Sequence, residues 1–479
     1  MSRDRDASRG AEAGGAPPGS LWGGRFEGGM APEMVPLNLS LGVDGRLWRE
    51  DIMASEAWAR ALAGAGVLTP AERDALILGL DAVAGRIAVE GLGGAREEDI
   101  HSVVERMLGE IVGPVAGKLH TGRSRNDQSS TGVRLYGMAA ADRIVVELVA
   151  LCGALHELAV RGIDVVMPGY THLQQAQPIR AAQWALSHLF AFLRDVDRIR
   201  SARISAGVLP LGSGAIAGCP FPVDRQALRK ELGFVRLSEN SLDAVSDRDW
   251  ICDLTYAGAM IGVHLSRLGE DLVLFSTVEL GFLRLSDGYS TGSSLMPQKR
   301  NPDAAELARG KSGRLVGNLM SELTLLKGLP TGYNRDLQED KGALFDTVDT
   351  LVMTLPAVAG AVRTAVFRPE RALAAMDPQL LATDLADHLV RRGVPFRTSH
   401  EVIGRLVRRA EARGVPLSEL TLDDFRAEHE MFDADVSDVF DWEASTDARD
   451  TAGGTSRRSI LRQLEDATAR LAQLSAAPS

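Results

Sequence analysis

The sequence is poor in cysteine, in aromatic residues and in positive charge. Three cysteines in 479 residues, Cys152, Cys219 and Cys252, lie far apart, which excludes a disulfide framework and a paired-cysteine zinc spacing. Cys152 and Cys252 sit inside apolar helical patterns and read as buried, inert thiols. Aromatics are 5% of the chain, so leucine, valine, alanine and isoleucine have to fill the core. The net charge of −11 excludes nucleic acid as a general partner, and any anionic ligand has to be drawn by a local basic site. No HExxH, Asp-x-Asp calcium loop or Gly-x-Gly-x-x-Gly turn after a strand is present. No metal or other cofactor is therefore expected. Period-2 strand alternation, internal repeats and windows of membrane-spanning length are not found. Residues 1–21 carry Asp4, Asp6, Glu12 and a Gly/Ala/Pro run without the apolar core of a signal peptide. They read as a disordered tail, and a cytoplasmic location is expected.

What is present is helical periodicity. Ile144, Leu148, Leu151, Leu155 and Leu158 recur at spacings of three and four, as do Leu186, Leu189, Leu193, Val196 and Ile199. Ile251 to Phe275, Leu307 to Leu326 and Leu344 to Leu355 continue the pattern. Such stripes predict long amphipathic helices packed side by side. A helix of about 25 residues spans nearly 40 Å at 1.5 Å per residue, which suits a bundle shared between subunits. Gly310, Gly313 and Gly317 share one face of the fourth stretch, and close helix approach is the expected compensation for about 0.8–1 kcal/mol each. Before the stripes, residues 22–124 read as a small, mainly helical domain. A helix is expected from Leu47 to Gly64, another at Thr69-Pro70-Ala71-Glu72, and a third after Glu97-Glu98-Asp99. Residues 125–374 read as the long-helix domain and 375–479 as a small helical domain. In the last, helices are expected over 380–390, 398–413, 417–432 and 456–474. The fold class is all-α.

The stretch from Thr291 to Pro302 breaks the periodicity. Gly288, Gly292 and Pro297 forbid a regular helix, so it reads as a shaped loop, and Asn301-Pro302-Asp303 as the next helix start. Exposed backbone N–H groups near the Lys299 ammonium suit a carboxylate. A plain Gly/Pro surface loop is the competing reading. A phosphate-cradling P-loop is excluded, because the second glycine and the Ser/Thr after lysine are missing. Four other polar clusters fall at helix junctures: His120 to Gln128, Met167 to Gln174, Asn240 to Asp249 and Gly332 to Lys341. Each could be a solvated connection. Their recurrence at one kind of juncture points instead to a shared site. On these residues alone His172 would be the base, since a serine hydroxyl is a very weak acid.

These motifs resemble the fumarase/aspartase superfamily of lyases and, within it, the argininosuccinate lyase family. The loop carries the superfamily signature. The other four clusters, Pro210 to Ala215 and Ala382 to Asp387 are similar to that family, and the resemblance runs from Trp22-Gly23-Gly24-Arg25-Phe26 to Gly453-Gly454-Thr455. It implies a three-domain subunit whose long helices form a twenty-helix core in a homotetramer, with active sites shared by three subunits. The implied partner is a small-molecule substrate, with neither nucleic acid nor membrane. The implied reaction is cofactor-free cleavage of argininosuccinate to arginine and fumarate; another N-succinyl amine is the alternative. The family pattern makes Ser293 the base, with Ser294 adjacent, and assigns Lys299 and Asn301 to the charged intermediate. His172, paired with Glu306, falls on the proton-donor side. Ser40, Ser124, Arg125, Asn126, Thr171, Tyr333, Gln338 and Lys341 are implied substrate contacts. Two departures lie near the leaving-group end: Val43-Asp44-Gly45-Arg46 replaces an aromatic-Asp-Arg run, and Trp58 stands where His or Tyr is common.

Overall fold

A computed structural model describes residues 30–476; the tail at 1–21 and the Trp22–Phe26 segment lie outside the described residues. The chain is all-α, as expected. Helices α1 (Trp48–Gly64), α2 (Pro70–Glu90) and α3 (Ile100–Val112) precede the long α4 (Arg125–Arg161). A hairpin of β1 (Val166–Thr171) and β2 (Gln174–Arg180) leads into α5 (Ala181–Ala206), α6 (Asp249–Ser276), α7 (Asp303–Leu326) and α8 (Asp340–Thr364). The chain closes with α9 (Ala382–Arg391), α10 (Phe396–Arg413), α11 (Leu422–Glu428) and α12 (Arg457–Ala476).

The local signals act as the chemistry demands. Thr69 accepts the Glu72 backbone N–H while the Glu72 carboxylate accepts that of Thr69, with Pro70 opening α2. Asp99 caps α3 through the Ser102 N–H. A cap of this kind contributes about 1 kcal/mol. The expected helix over 417–432 divides instead into a 3-10 turn, Leu417–Glu419, and α11. The reason is a second capping box, Thr421 with Asp424, inside the stretch. Around it Leu385, Leu389, Val402, Leu406, Phe425 and Phe432 close one apolar cluster.

The leucine stripes of α4, α5 and α6 are buried throughout, each such side chain contributing roughly 1.5–3 kcal/mol. Burial also pushes the Cys152 thiol up to about 12 and that of Cys252 to about 11, so both remain protonated. Helix α7 behaves differently. Leu307, Met320 and Leu323 are 61%, 55% and 47% exposed. Gly310, Gly313 and Gly317 do not provide a close approach among the described residues, where a Cβ at any of them would meet nothing within 4 Å. The close approach lies on the facing helix α6. There a Cβ would come within 2.8 Å of Leu315 at Gly262 and within 2.6 Å of the Ala305 carbonyl oxygen at Gly269.

One expectation about membranes is corrected. The segment Arg335–Thr364 is long and apolar enough to cross one by length and composition, with mean hydropathy 1.3. Most of that window, 67%, is buried among other helices, which is how a core helix passes the same test. By its contacts the chain forms two compact units. The first comprises the described part of Met1–Asp142 with Arg200–Tyr256 and Asn318–Thr347; the second comprises Arg143–Ile199, Ala257–Gly317 and the described part of Val348–Ser479.

Candidate active site

In the second unit the Thr291–Pro302 stretch is a closed loop. Thr291 and Asn301 exchange both backbone hydrogen bonds, at 3.1 and 2.8 Å, pinning its two ends. Asn301 does not cap the next helix; its amide donates to Thr291 Oγ1 at 3.3 Å and to the Gly292 carbonyl at 3.4 Å. Helix α7 opens at Asp303, with the Pro302 carbonyl accepting its first bonds. Inside the loop the backbone folds back on one hydroxyl. Ser293 Oγ accepts the N–H groups of Leu295 at 3.2 Å and Met296 at 3.1 Å. Two fixed N–H donors favour developing negative charge on that oxygen. The Ser294 hydroxyl has no hydrogen bond among the described residues. The Lys299 ammonium is exposed and unpaired among them, while Arg300 is tied to Asp287. Glu306, one turn into α7, lies 3.9 Å from Arg309.

His172 lies on a turn between two core helices, as the sequence suggested, and that turn is the tip of a β-hairpin joining α4 to α5. Antiparallel β1 and β2 pair from Val166–Arg180 to Thr171–Gln174, leaving His172 and Leu173 as a two-residue turn. Val166, Met167, Pro168 and Gly169 are buried in succession, so no alternation existed to be read. A Cβ at Gly169 would sit 2.9 Å from the Gln177 carbonyl oxygen, beside the bulge. His172 and Leu173 have φ of 54° and 57°, as a type I′ turn requires. This conformation costs a non-glycine residue about 1–2 kcal/mol, and histidine tolerates it better than leucine. Both side chains and that of Thr171 are exposed. The base of the hairpin is clamped by Arg180, which donates to Glu443 at 2.6 Å and Asp447 at 2.8 Å. No hydrogen bond joins His172 to Glu306 among the described residues.

The first unit holds the remaining expected contacts, and here most of the polar groups are bonded within the unit. Arg123 donates to Ser55 at 2.9 Å. Arg125 donates to Gln128 at 2.8 Å and Ser102 at 3.2 Å and pairs with Asp99 and Glu105. Both guanidinium groups are thus turned toward the chain's own acceptors. Gln128 and His101 in turn bond Asp51, at 2.6 and 2.7 Å. Burial works against the Asp51 carboxylate, but His101, Arg123 and Gln128 outweigh it and hold its pKa below the usual range. Burial, then Arg123 and Arg125, push the His120 pKa down, so this imidazole stays neutral at pH 7.

The start of α3, which the sequence marked only as a helix cap, gathers three expected segments. The Ser40 N–H donates to the Glu98 carbonyl at 2.9 Å. Arg335 bonds the Glu98 carboxylate at 2.8 Å and Asn38 as well, and Asp99 takes Arg125. Tyr333 and Gln338 flank Arg335 and are half-buried. Lys341 is 4% exposed, and its ammonium donates to Asp340 at 2.8 Å while Arg248 takes the other Asp340 oxygen. Beside them Glu322 is buried with one carboxyl oxygen unpartnered. Burial first, then Asp340, push its pKa up to about 8. Trp58, a departure in the sequence, faces inward. It is fully buried and its indole N–H holds the Thr121 carbonyl at 3.1 Å.

The family described as Lyase matches residues 24–317, and that described as Argininosuccinate lyase C-terminal matches residues 379–447. The chain is 53% identical to the argininosuccinate lyase of Roseiflexus castenholzii over 445 residues, 93% of this chain and 98% of that one. The likeness to the argininosuccinate lyase of Roseiflexus sp. strain RS-1 is 54% over 449 residues, with the same shares covered. Among solved structures, an EDDS lyase variant with bound fumarate superposes with a TM-score of 0.82 at 28% identity, over 94% of this chain and 92% of that one. With the superfamily loop and the family's C-terminal segment both present, the chain belongs to the argininosuccinate lyase family of the fumarase/aspartase superfamily, a family of carbon–nitrogen lyases.

Proposed function

We propose that the chain cleaves argininosuccinate reversibly to arginine and fumarate, the last step of arginine biosynthesis. The observation that carries the chemistry is the Ser293 hydroxyl, held by two loop N–H groups in the loop that bears the Lys299 ammonium, unpaired among the described residues. In this reading Ser293 acts as the alkoxide, stabilised by Lys299 and the loop N–H groups, and takes the carbon-bound proton next to a substrate carboxylate to become the hydroxyl. The doubly charged aci-carboxylate that results is stabilised by Lys299, Asn301 and the backbone at Gly292. His172, with Glu306, stands on the opposite face and supplies the proton to the departing nitrogen. Ser40, Ser124, Arg125, Asn126, Thr171, Tyr333, Gln338 and Lys341 bind the substrate, and the glycine-bearing loop closes over it.

The subunit works as a homotetramer in the cytoplasm, with domains at 22–124, 125–374 and 375–479, the long-helix domain (125–374) supplying the shared core. The exposed Leu307, Met320 and Leu323, beside the open glycine face of α7, support that reading, because an apolar helix face is stable only when covered. A second reading, fumarate release from another N-succinyl amine, draws on the likeness to EDDS lyase and on the departures at Val43 and Gly45. Mixing the purified protein with argininosuccinate, and separately with adenylosuccinate, and following fumarate by ultraviolet absorption tests both. Fumarate from argininosuccinate alone is expected. None from argininosuccinate would overturn the proposal.

A further inference from the structure

At the start of α4, where the expected substrate contacts Ser124, Arg125 and Asn126 stand in a row, one carboxylate is used entirely on backbone donors. Asp127 is fully buried. One of its oxygens accepts the Ser124 N–H at 2.9 Å. The other accepts the N–H groups of Gly212 at 3.0 Å and Gly214 at 2.8 Å. The loop so captured returns the contact, since the Ala215 carbonyl accepts the Asn126 amide at 3.2 Å. Its conformation is narrowly specified. Gly212 and Gly214 have φ of 93° and 59°, and a Cβ at Gly214 would lie 2.9 Å from the Gly218 carbonyl oxygen. Arg225 grips the loop's other side through the carbonyls of Leu209 and Leu211, both at 3.0 Å.

We propose that Asp127 is a positioning residue: it locks the Pro210–Ala215 loop against the start of α4, and the loop in turn fixes the orientation of the Asn126 side chain toward substrate. The inference rests on the reading that Asn126 binds substrate. A carboxylate suits the task because it accepts all three N–H groups without offering a donor of its own. An asparagine there would present an amide to at least one of them.

The test compares Asp127→Asn, Asn126→Ala and the double variant in the intact, assembled enzyme, reading kcat and KM for argininosuccinate beside the thermal midpoint. Asp127→Asn is expected to raise KM about tenfold with kcat changed less than threefold. In the Asn126→Ala background it should add less than twofold, because its effect passes through Asn126. A lowered midpoint with unchanged KM would mean a merely structural role and overturn the inference. So would a full tenfold addition in the double variant. If Asn126→Ala itself leaves KM unchanged, the reading of Asn126 fails and the inference with it. A raised KM in Asn126→Ala without one in Asp127→Asn defeats the inference alone. Should Asp127→Asn not assemble, Gly214→Ala strains the same loop, and unaltered KM there has the same force.

Discussion

The two polar segments that the sequence presents as equals, His120–Gln128 and Thr291–Pro302, are physically opposite. In the first, Arg125, Asp127 and Gln128 are bonded by partners in their own unit, and Arg123 is held by Ser55 with its Nε left over. In the second, Lys299 and Ser294 are exposed and unpartnered among the described residues, while Ser293 has received two N–H donors. A segment whose groups are already satisfied is preorganised and rigid. A segment whose charges are unpaired at the surface holds them ready for a ligand or a neighbouring chain. The comparison teaches that donor density in a sequence does not distinguish a scaffold from a reactive loop; burial does.

The contrast would break most visibly at Ser293. Ser293→Ala is expected to lower turnover at least about 10³-fold, a size typical of removing a catalytic group, with assembly measured by light scattering unchanged. Ser294→Ala, lacking the two N–H donors, should cost less than about tenfold. Equal losses in the two variants would erase the distinction drawn from the loop geometry.

A second test sharpens the buried side. Folded Glu322 holds its proton up to about pH 8, against an ordinary value of 4.5. Between those values the folded state binds the additional proton. Its contribution is therefore fully present below about pH 4.5 and is lost as pH rises toward 8. At about 1.36 kcal/mol per unit, the change reaches several kcal/mol across the window. Urea midpoints of Glu322→Gln should accordingly fall less than those of the parent between pH 6 and pH 8.5. A parallel decline in both proteins would remove Glu322 as the cause.

The smallest effect is expected at the hairpin tip. Leu173 is 75% exposed with positive φ, so Leu173→Gly gives up little packing and relieves about 1–2 kcal/mol of backbone strain, partly offset by glycine's greater unfolded freedom. A net gain of up to about 1 kcal/mol in chemical denaturation is the expected outcome. A loss of that size would show that the leucine packs against another subunit in the assembly.

Much of this molecule follows from the residues alone. The 3–4 spacing of leucines made α4, α5, α6 and α8 legible, because burying an apolar stripe demands that period. The caps at Thr69 and Asp99 were legible because their side chains bond backbone N–H groups only a few residues away. The order of the polar motifs carried the family. Where long-range packing decides, the sequence was silent. The first four residues of β1 are buried in succession because both faces are covered there, a fact of neighbours distant in the chain. Gly262 and Gly269, not the α7 glycines, mark the close helix approach, since which face of a helix is opposed depends on its partner. Asp127 and Glu98 stand in stretches the sequence marks, a polar cluster and a helix start, but nothing in those stretches told that they join segments as much as 237 residues apart. The chain's chemistry encodes its helices and its reactive groups. Only the folded chain decides which charges are satisfied, because that depends on what tertiary contact brings within hydrogen-bond reach.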